Sequence, residues 1–590
     1  VKLYNKIFYN LDQMPAGATP PLVKLRSIDD VPILALTLWS DSYDGYQLRR
    51  MAVELGEYIK QGENVGQVEV IGGQRRVLQV NIDPERLAAY GLSLLQVEPM
   101  VRQANVNVYA GEFDSGNQRF KVESGAPVAS AQELGAIVVS VHQDRPIYLG
   151  DVAEIVDGPE EIDNYVFFGL GPKAGDKKID PARYSQSEYP AVTLTVAKRK
   201  GSDASRVAAG AVERAESLKG IIIPGDVNLT VTRNYGETAD EKANELFSHL
   251  LMSILFVTVI IALSLNWRGA TIILISVPVT FALTLFTYYV FDYTINRVTL
   301  FALIFVTGLV VDDSIIVVEN IYRHYSLKAL PPFQAAVAAI NEVGNPTILA
   351  TLTVIVSILP LVTVGGLMGP YMSPMPIGAS LAMMFSLLVA LMIAPWFAYR
   401  MLRGSYGKSH EQPLRTEDTF TYRAYRRIMI PLMENPVRRW GFVAVVALVV
   451  LASLGMMGIR WVEVKMLPYD NKSEVQVMID MPEGTPLEQT NRVAMEIGDY
   501  LRSVPEVTDY QIYAGNSSPY NFNGLIRHYF LRHAPNLTDI QVNMVRKQDR
   551  SRQSHAIAVD IREPVTHIGA HYGARIKIAE IPPGPPVVST

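Results

Sequence analysis

Asp312 and Asp313 stand side by side in the run GLVVDDSIIVVEN, residues 308–320, whose other members are almost all apolar. Two carboxylates this close disfavour double ionisation, and a poorly solvated setting sharpens the effect. A group that gains and loses H+ in a partly wet site is what a proton-driven machine requires. Two other chemistries fit an Asp pair in oil. A salt-bridged pair locks helices together. An intramembrane aspartyl protease needs a second Asp on another helix, and no other long apolar run of this sequence contains Asp or Glu.

The elements that hold the pair are membrane spans by length. The hydrocarbon core is about 30 Å thick and a helix rises about 1.5 Å per residue, so about 20 apolar residues are needed. Stretches 246–265, 270–291, 298–318, 346–365, 377–399 and 441–460 qualify. Interior prolines, Pro278, Pro360 and Pro395, are tolerated in packed spans. The span 298–318 centres near Gly308, which puts the aspartates about 6 Å from the midplane. Each charged Asp there costs about 2.5–3.5 kcal/mol, and intramembrane ionisable groups are functional by default. Neighbouring helical residues point about 100° apart, so the helix must turn a broad face to protein or water. Apart from Arg460, the last residue of 441–460, no Lys or Arg falls within these spans, so a cation that compensates the pair inside the bilayer comes from outside this sequence.

Basic residues orient the spans. The 400–440 connection carries Arg400, Arg403, Lys408, Arg415, Arg423, Arg426, Arg427, Arg438 and Arg439, and is predicted cytoplasmic; the 366–376 loop has none and is predicted outside. Alternation places the 319–345 loop and the Asn266–Gly269 turn inside. It places residues 1–240 and those after about 462 on the far side. Residues 417–434 (EDTFTYRAYRRIMIPLME) read either as an amphipathic helix on the inner leaflet or as an ordinary basic connector.

The two far-side portions alternate strand and helix patterns. Strands are predicted at 32–40, 67–83 (paired around Gly72–Gly73), 136–141, 145–158, 191–201 and 227–234, with helices at 48–61, 84–105 and 202–218. The same style resumes with EVQVMIDMP, a helix in TPLEQTNRVAMEIGDYLRSV with Thr485 as cap, and VTDYQIYAG. The fold class predicted is therefore a membrane protein: an α-helical transmembrane bundle plus α+β modules of ferredoxin-like βαββαβ rhythm. A faint repeat, MPAGATPPLV (14–23) against IPPGPPVVST (581–590), hints at a duplication. With 590 residues, a start at Val1 and a Pro-rich end, the sequence reads as a piece of a longer polypeptide. The absence of Cys excludes disulfides and thiolate metal sites. A net charge of −5 gives no reason to expect nucleic acid.

The run GLVVDDSIIVVENIYRH resembles the fourth-span signature of resistance–nodulation–division (RND) transporters, in the multidrug hydrophobe/amphiphile efflux branch. NVGQVEVIGGQRRVLQVNIDPERLAAYGLSLLQVEPMVRQANVNVYAGEF is similar to that family's porter-to-docking segment, and RPIYLGDVAEI to the strand closing the docking region. The metal-exporting branch typically has one Asp where this sequence has two. The resemblance implies a proton-driven efflux transporter of the bacterial inner membrane, without cofactor or catalytic residues, exporting amphiphilic or hydrophobic compounds. It implies a homotrimer joined to a periplasmic adaptor (membrane fusion) protein and an outer-membrane channel. Asp312 and Asp313 are then the proton relay. The implied domains are 1–30, the end of one porter subdomain; 31–70 with 160–235, a second; 71–159, a docking subdomain; and 463–590, the start of the other porter half. The six spans would be the second to seventh of twelve, and the Lys and Arg partners of the Asp pair would lie on later ones.

Aromatic residues cluster at 519–530: Tyr520, Phe522, Tyr529 and Phe530. The resemblance puts this neighbourhood near a drug pocket, where rings suit variable apolar ligands; ordinary strand packing explains them equally. His528 and His533 lack further ligands at coordinating spacing, so no metal site is expected. The competing functions are an RND-type exporter of metal ions, lipids or signalling molecules, a non-transporting export motor or receptor of the same architecture, and a passive channel that needs no titrating carboxylate.

Overall fold

A computed structural model describes residues 2–15, 18–19, 21–125, 127–142, 144–264, 267–291, 293–327, 329–365, 368–402, 420–459, 461 and 470–581. These form two compact units, one from residues 1–236 with 471–581 and one centred on 237–470. The 403–419 part of the basic connection, residues 265–266 of the inside turn and the 582–590 half of the faint repeat lie outside the described residues.

The first unit begins with strand β1 (Leu34–Trp39), every residue of which is buried. Helix α1 (Gly45–Lys60) follows, opened by a capping box in which Asp44 accepts from the Gln47 N–H at 2.8 Å. Strand β2 (Val65–Ile71) and β3 (Arg76–Ile82) come next, then α2 (Pro84–Ala89) and α3 (Leu94–Ala104). Hairpin β4 (Val108–Ser115) with β5 (Gln118–Ser124), hairpin β6 (Val138–His142) with β7 (Arg145–Tyr148), and β8 (Ala153–Pro159) complete an inserted segment. It has its own small core around Leu87, Val97, Leu149 and Val152. The chain then returns through β9 (Tyr165–Leu170), β10 (Glu188–Lys198), α4 (Ala204–Ser217) and β11 (Asn228–Asn234). Leu36, Leu38, Leu55, Leu194 and Val207 pack these helices onto the sheet.

Gly72–Gly73 does not join paired strands, as the sequence pattern predicted. β2 pairs with β10, whereas β3 pairs with β8 in a separate sheet. Both glycines have positive φ (92° and 67°), so the chain swerves out of one sheet and into the other. Arg49 holds the swerve by donating to the Gly72 carbonyl. A Cβ at Gly72 would lie 2.5 Å from Val166 Cγ2. Gly72→Ala is therefore expected to lower stability by about 2–4 kcal/mol, seen as a reduced unfolding midpoint. Three other predicted elements differ. The helix expected over 84–105 breaks at Gly91, whose φ is 65°. The strand expected over 145–158 is interrupted by a helical turn, Leu149–Val152, which buries Leu149 and Val152 completely. Thr485 does not cap the helix after it; its hydroxyl donates back to the Pro482 carbonyl at 2.7 Å.

The second unit holds α5 (Tyr235–Ser264), α6 (Trp267–Val290), α7 (Arg297–Leu327), α8 (Pro332–Ile358), α9 (Pro374–Leu388), α10 (Ala394–Leu402), α11 (Phe420–Glu434) and α12 (Pro436–Gly458). A π-helical turn joins α9 and α10 into one rod. Among the described residues six helices, that rod among them, are long and apolar enough to cross a membrane. Several outrun the apolar stretches read from sequence. α7 continues to Leu327, and α8 starts fourteen residues before 346 because Ala335, Ala336 and Ala339 already face α7 and the α9–α10 rod. Residues 420–434 form a helix, and residues 417–419 are outside the description.

The chain re-enters the first unit with β12 (Glu474–Asp480), α13 (Leu487–Leu501), β13 (Val507–Ala514), β14 (Leu537–Met544), α14 (Ser554–His571) and β15 (Arg575–Glu580). These strands extend the earlier sheet rather than building a separate one. Its order is β11-β1-β10-β9-β13-β14-β12-β15, with β2 beside β10. β9 and β13 form the antiparallel joint from Asp509↔Leu170 to Ala514↔Tyr165. One sheet face packs Val475, Val477, Ile512 and Ile540 under α13 and α14. The other face is polar yet buried. Tyr513 and Thr193 share a hydrogen bond of 2.9 Å, Thr193 meets Thr37 at 3.1 Å, and the Gln541 amide donates to the Thr232 carbonyl at 3.3 Å. Arg233 on β11 forms a two-pronged ion pair with Glu474 on β12 and donates to the Pro519 carbonyl at 2.7 Å. Its side chain is 2% exposed. Burial alone would lower the guanidinium pKa, but the Glu474 carboxylate more than offsets this and holds it above the ordinary value.

Candidate functional site

Helix α7 carries both aspartates. Its start is fixed by Asn296, whose Oδ1 accepts from the N–H groups of Val298 (2.9 Å) and Thr299 (3.1 Å). The apolar face made by Leu303, Val306, Val310 and Val311 packs against α6 and α9. The register that buries those residues also turns Asp313 inward. Asp313 is 7% exposed, while Asp312, one residue and about 100° away, is exposed on the helix flank. The broad face expected from adjacent aspartates is thus divided: one carboxyl faces protein and the other faces away from it.

Asp313 meets two hydroxyls from two different helices. Thr351 Oγ1 on α8 lies 3.0 Å from Oδ1, and Ser386 Oγ on α9 lies 2.9 Å from Oδ2. Each hydroxyl has a second acceptor in reach. Thr351 is 2.9 Å from the Thr347 carbonyl, and Ser386 is 2.8 Å from the Val310 carbonyl. A hydroxyl carries one proton and cannot donate both ways at once. With Asp313 ionised, both hydroxyls turn to the carboxylate. With Asp313 protonated, its own O–H donates to one hydroxyl, which then turns to its backbone carbonyl. The site can hold either protonation state without leaving a buried polar atom unsatisfied, and the change is felt on whichever of α8 and α9 carries the hydroxyl that turns.

Ser386→Ala removes one of these partners. It is expected to cost about 1–3 kcal/mol when the carboxyl is ionised. It should also shift the carboxyl infrared band assigned to Asp313; an unmoved band would show that the two groups do not touch.

Among the described residues no hydrogen bond or ion pair reaches Asp312, and no Lys or Arg pairs with either aspartate. Thr351 and Ser386 escaped the sequence reading. Their only signal was a hydroxyl in an apolar run, and most such hydroxyls bond their own helix backbone, as Thr280 and Thr284 do here. Asn320 is buried and donates to the Ala339 carbonyl at 2.8 Å.

The aromatic cluster lies in the first unit. Tyr520 and Phe530 come together, ring centroids 5.5 Å apart, and the Arg26 guanidinium sits 4.8 Å from the Phe530 centroid. The Tyr520 hydroxyl accepts from Arg26 at 3.0 Å and donates to the Asp30 carbonyl at 2.8 Å. Phe522 opens a short helix and Tyr529 a 3-10 turn; neither has a ring partner among the described residues. His533 Nε2 lies 2.9 Å from the Phe530 carbonyl oxygen.

Residues 1–572 match the AcrB/AcrD/AcrF family. The chain is also similar to the multidrug resistance protein MdtC of Escherichia coli O7:K1 (strain IAI39), with 28% identity over 425 residues. MdtC of E. coli O1:K1 and of E. coli O127:H6 (strain E2348/69) match to the same extent. The match covers 72% of this chain and 39% of the relative's length. The matched length, the apolar spans and the Asp-bearing helix agree, and the chain belongs to the AcrB/AcrD/AcrF family of RND transporters, which are not enzymes.

Proposed function

We propose that this chain is part of an inner-membrane proton/substrate antiporter that expels amphiphilic or hydrophobic compounds. The observation that carries this reading is Asp313, buried in an apolar helix yet supplied with two hydroxyls that suit both of its protonation states. Protons bind the pair from outside and leave inside, and each change alters how α7 is paired with α8 or α9. The driving force is the proton gradient, with no cofactor.

In this reading the sheet-rich unit is periplasmic. Residues 31–70 with 160–235, and the portion from 463, are ferredoxin-like porter subdomains; 71–159 is the docking subdomain, and α11 lies on the inner leaflet. The strand order β13-β14-β12-β15, with α13 and α14 on one face, supports the porter assignment. The working assembly is a homotrimer coupled to a periplasmic adaptor and an outer-membrane channel. Substrate enters from the periplasm or outer leaflet, with Tyr520, Phe522, Tyr529 and Phe530 near its route. The buried hydrogen bonds of Tyr520 also give that ring a structural task. A susceptibility panel on cells with and without the full-length protein tests the proposal. Protection against several unrelated amphiphiles supports it; protection confined to metal salts, or to nothing, overturns it.

A further inference from the structure

We propose that the α7–α8 seam carries a second proton-binding site at its inner end, formed by His324 and Glu342, through which protons leaving Asp313 are released. The proposal rests on the antiport reading above and names the exit that reading requires.

Residues 313, 317, 320 and 324 recur at helical spacing and share one face of α7. Asp313, Val317 and Asn320 on that face are buried, and the His324 side chain is 19% exposed. α8 runs back along it. Thr351 meets Asp313, Asn320 Nδ2 donates to the Ala339 carbonyl and lies 3.4 Å from Glu342, and His324 Nε2 is 2.8 Å from Glu342 Oε2. Arg323 reaches the other Glu342 oxygen. Eleven residues separate Asp313 from His324, a rise of about 16 Å. Polar groups recur along that length where an ordinary seam would be filled by leucine. Thr347 is 2% exposed, and Asn320 Oδ1 accepts from no group among the described residues. Gly344 is buried, yet a Cβ built there would meet nothing within 4 Å. A space of that kind, on a helix that also meets Asn320, suits water.

The Glu342 side chain is 48% exposed, so this end of the seam opens outward from the helix pair. The basic loops put that end on the cytoplasmic side. The transfer balances simply. The Asp313 O–H bond breaks, water carries the proton along the seam, and an N–H bond forms at the His324 nitrogen not bonded to Glu342. Loss of that proton to bulk water restores the neutral imidazole. Glu342, which also meets Arg323, faces the transient imidazolium as its counter-charge. The other titratable or charged groups near this end of the packed elements are Glu319, Tyr322 and Tyr325 on α7, Arg268 on α6, and Tyr399 and Arg400 on α10, with Arg400 stacked over Trp396; Asp312 lies further along α7.

The test uses the full-length protein in oriented proteoliposomes, with pH clamped separately on each side and substrate-driven proton flux as the readout. Glu342→Gln and His324→Gln are each expected to slow flux at least about fivefold. Both should alter its dependence on inner-side pH and leave the outer-side profile in place, and Glu342→Asp should restore most of the flux. Wild-type flux and inner-side profile in both Gln variants would overturn the release site, as would equal shifts of both profiles. Should Glu342→Gln fail to assemble, His324→Gln decides alone. Asp313→Asn run in parallel separates the two levels. Flux surviving Asp313→Asn ends the antiport reading itself, whereas flux lost in Asp313→Asn but intact in Glu342→Gln and His324→Gln ends only the exit.

Discussion

Full-length protein carrying Asp313→Asn is expected to insert and assemble normally yet lose proton-coupled transport by about 100-fold or more. Asn has nearly the shape of Asp. Its carbonyl oxygen can accept from Thr351, and its amide can donate to Ser386, so the contacts to α8 and α9 survive. What disappears is the ability to alternate between accepting twice and donating once. The substitution freezes the site in a mimic of its protonated state. Asp312→Asn removes a group exposed in this chain, so it should cost even less stability while still blocking transport. Proton flux and substrate efflux, measured beside assembly state, check this. A normally assembled Asp313→Asn variant that retained half of wild-type efflux would remove the basis of the proposed mechanism.

The largest stability effect is expected at Arg233. Its charge is buried against Glu474, and it also donates to the Pro519 carbonyl. Arg233→Met leaves a carboxylate in a nearly sealed site, at a cost of about 3–5 kcal/mol. The double variant Arg233→Met/Glu474→Gln removes the stranded charge and should recover a large part of that loss. Thermal unfolding of wild type, both single variants and the double variant gives the coupling. A double variant no more stable than Arg233→Met would show that the pair's attraction is not what matters there. The same bond ties β11 to β12, so the single variant should also loosen the joint between the two sequence halves of the sheet.

The Asp pair was legible because type contrast is strongest there: two carboxylates in a run with no other charge from Arg297 to Glu319. The spans were legible for the same reason, although their ends were not. Apolar content stops at the lipid boundary, whereas the α8 helix continues on alanines that pack against its neighbours. Gly72–Gly73 misled because two glycines between strand-like runs fit a tight hairpin. The deciding contact, Val166, lies far away in sequence. Strand β12 was legible as a strand, but its surroundings were not. EVQVMID alternates as though one face met water, yet Glu474 and Gln476 are 8% and 7% exposed. Their cover comes from β11, Ser518 and neighbours that no local pattern announces. The β9–β13 joint was invisible because pairing partners separated by the whole helical unit leave no mark on either strand.

That joint has a consequence for how the protein is made. β9 leaves the ribosome roughly 340 residues ahead of β13, which at 5–20 residues per second is a wait of roughly 20–70 s. Throughout that interval one side of β9 offers bare N–H and C=O groups, while several hydrophobic helices are still being threaded into lipid. An unsatisfied edge of that kind recruits any strand within reach. Biogenesis of this chain should therefore depend on something shielding residues 165–170 until the matching strand is delivered.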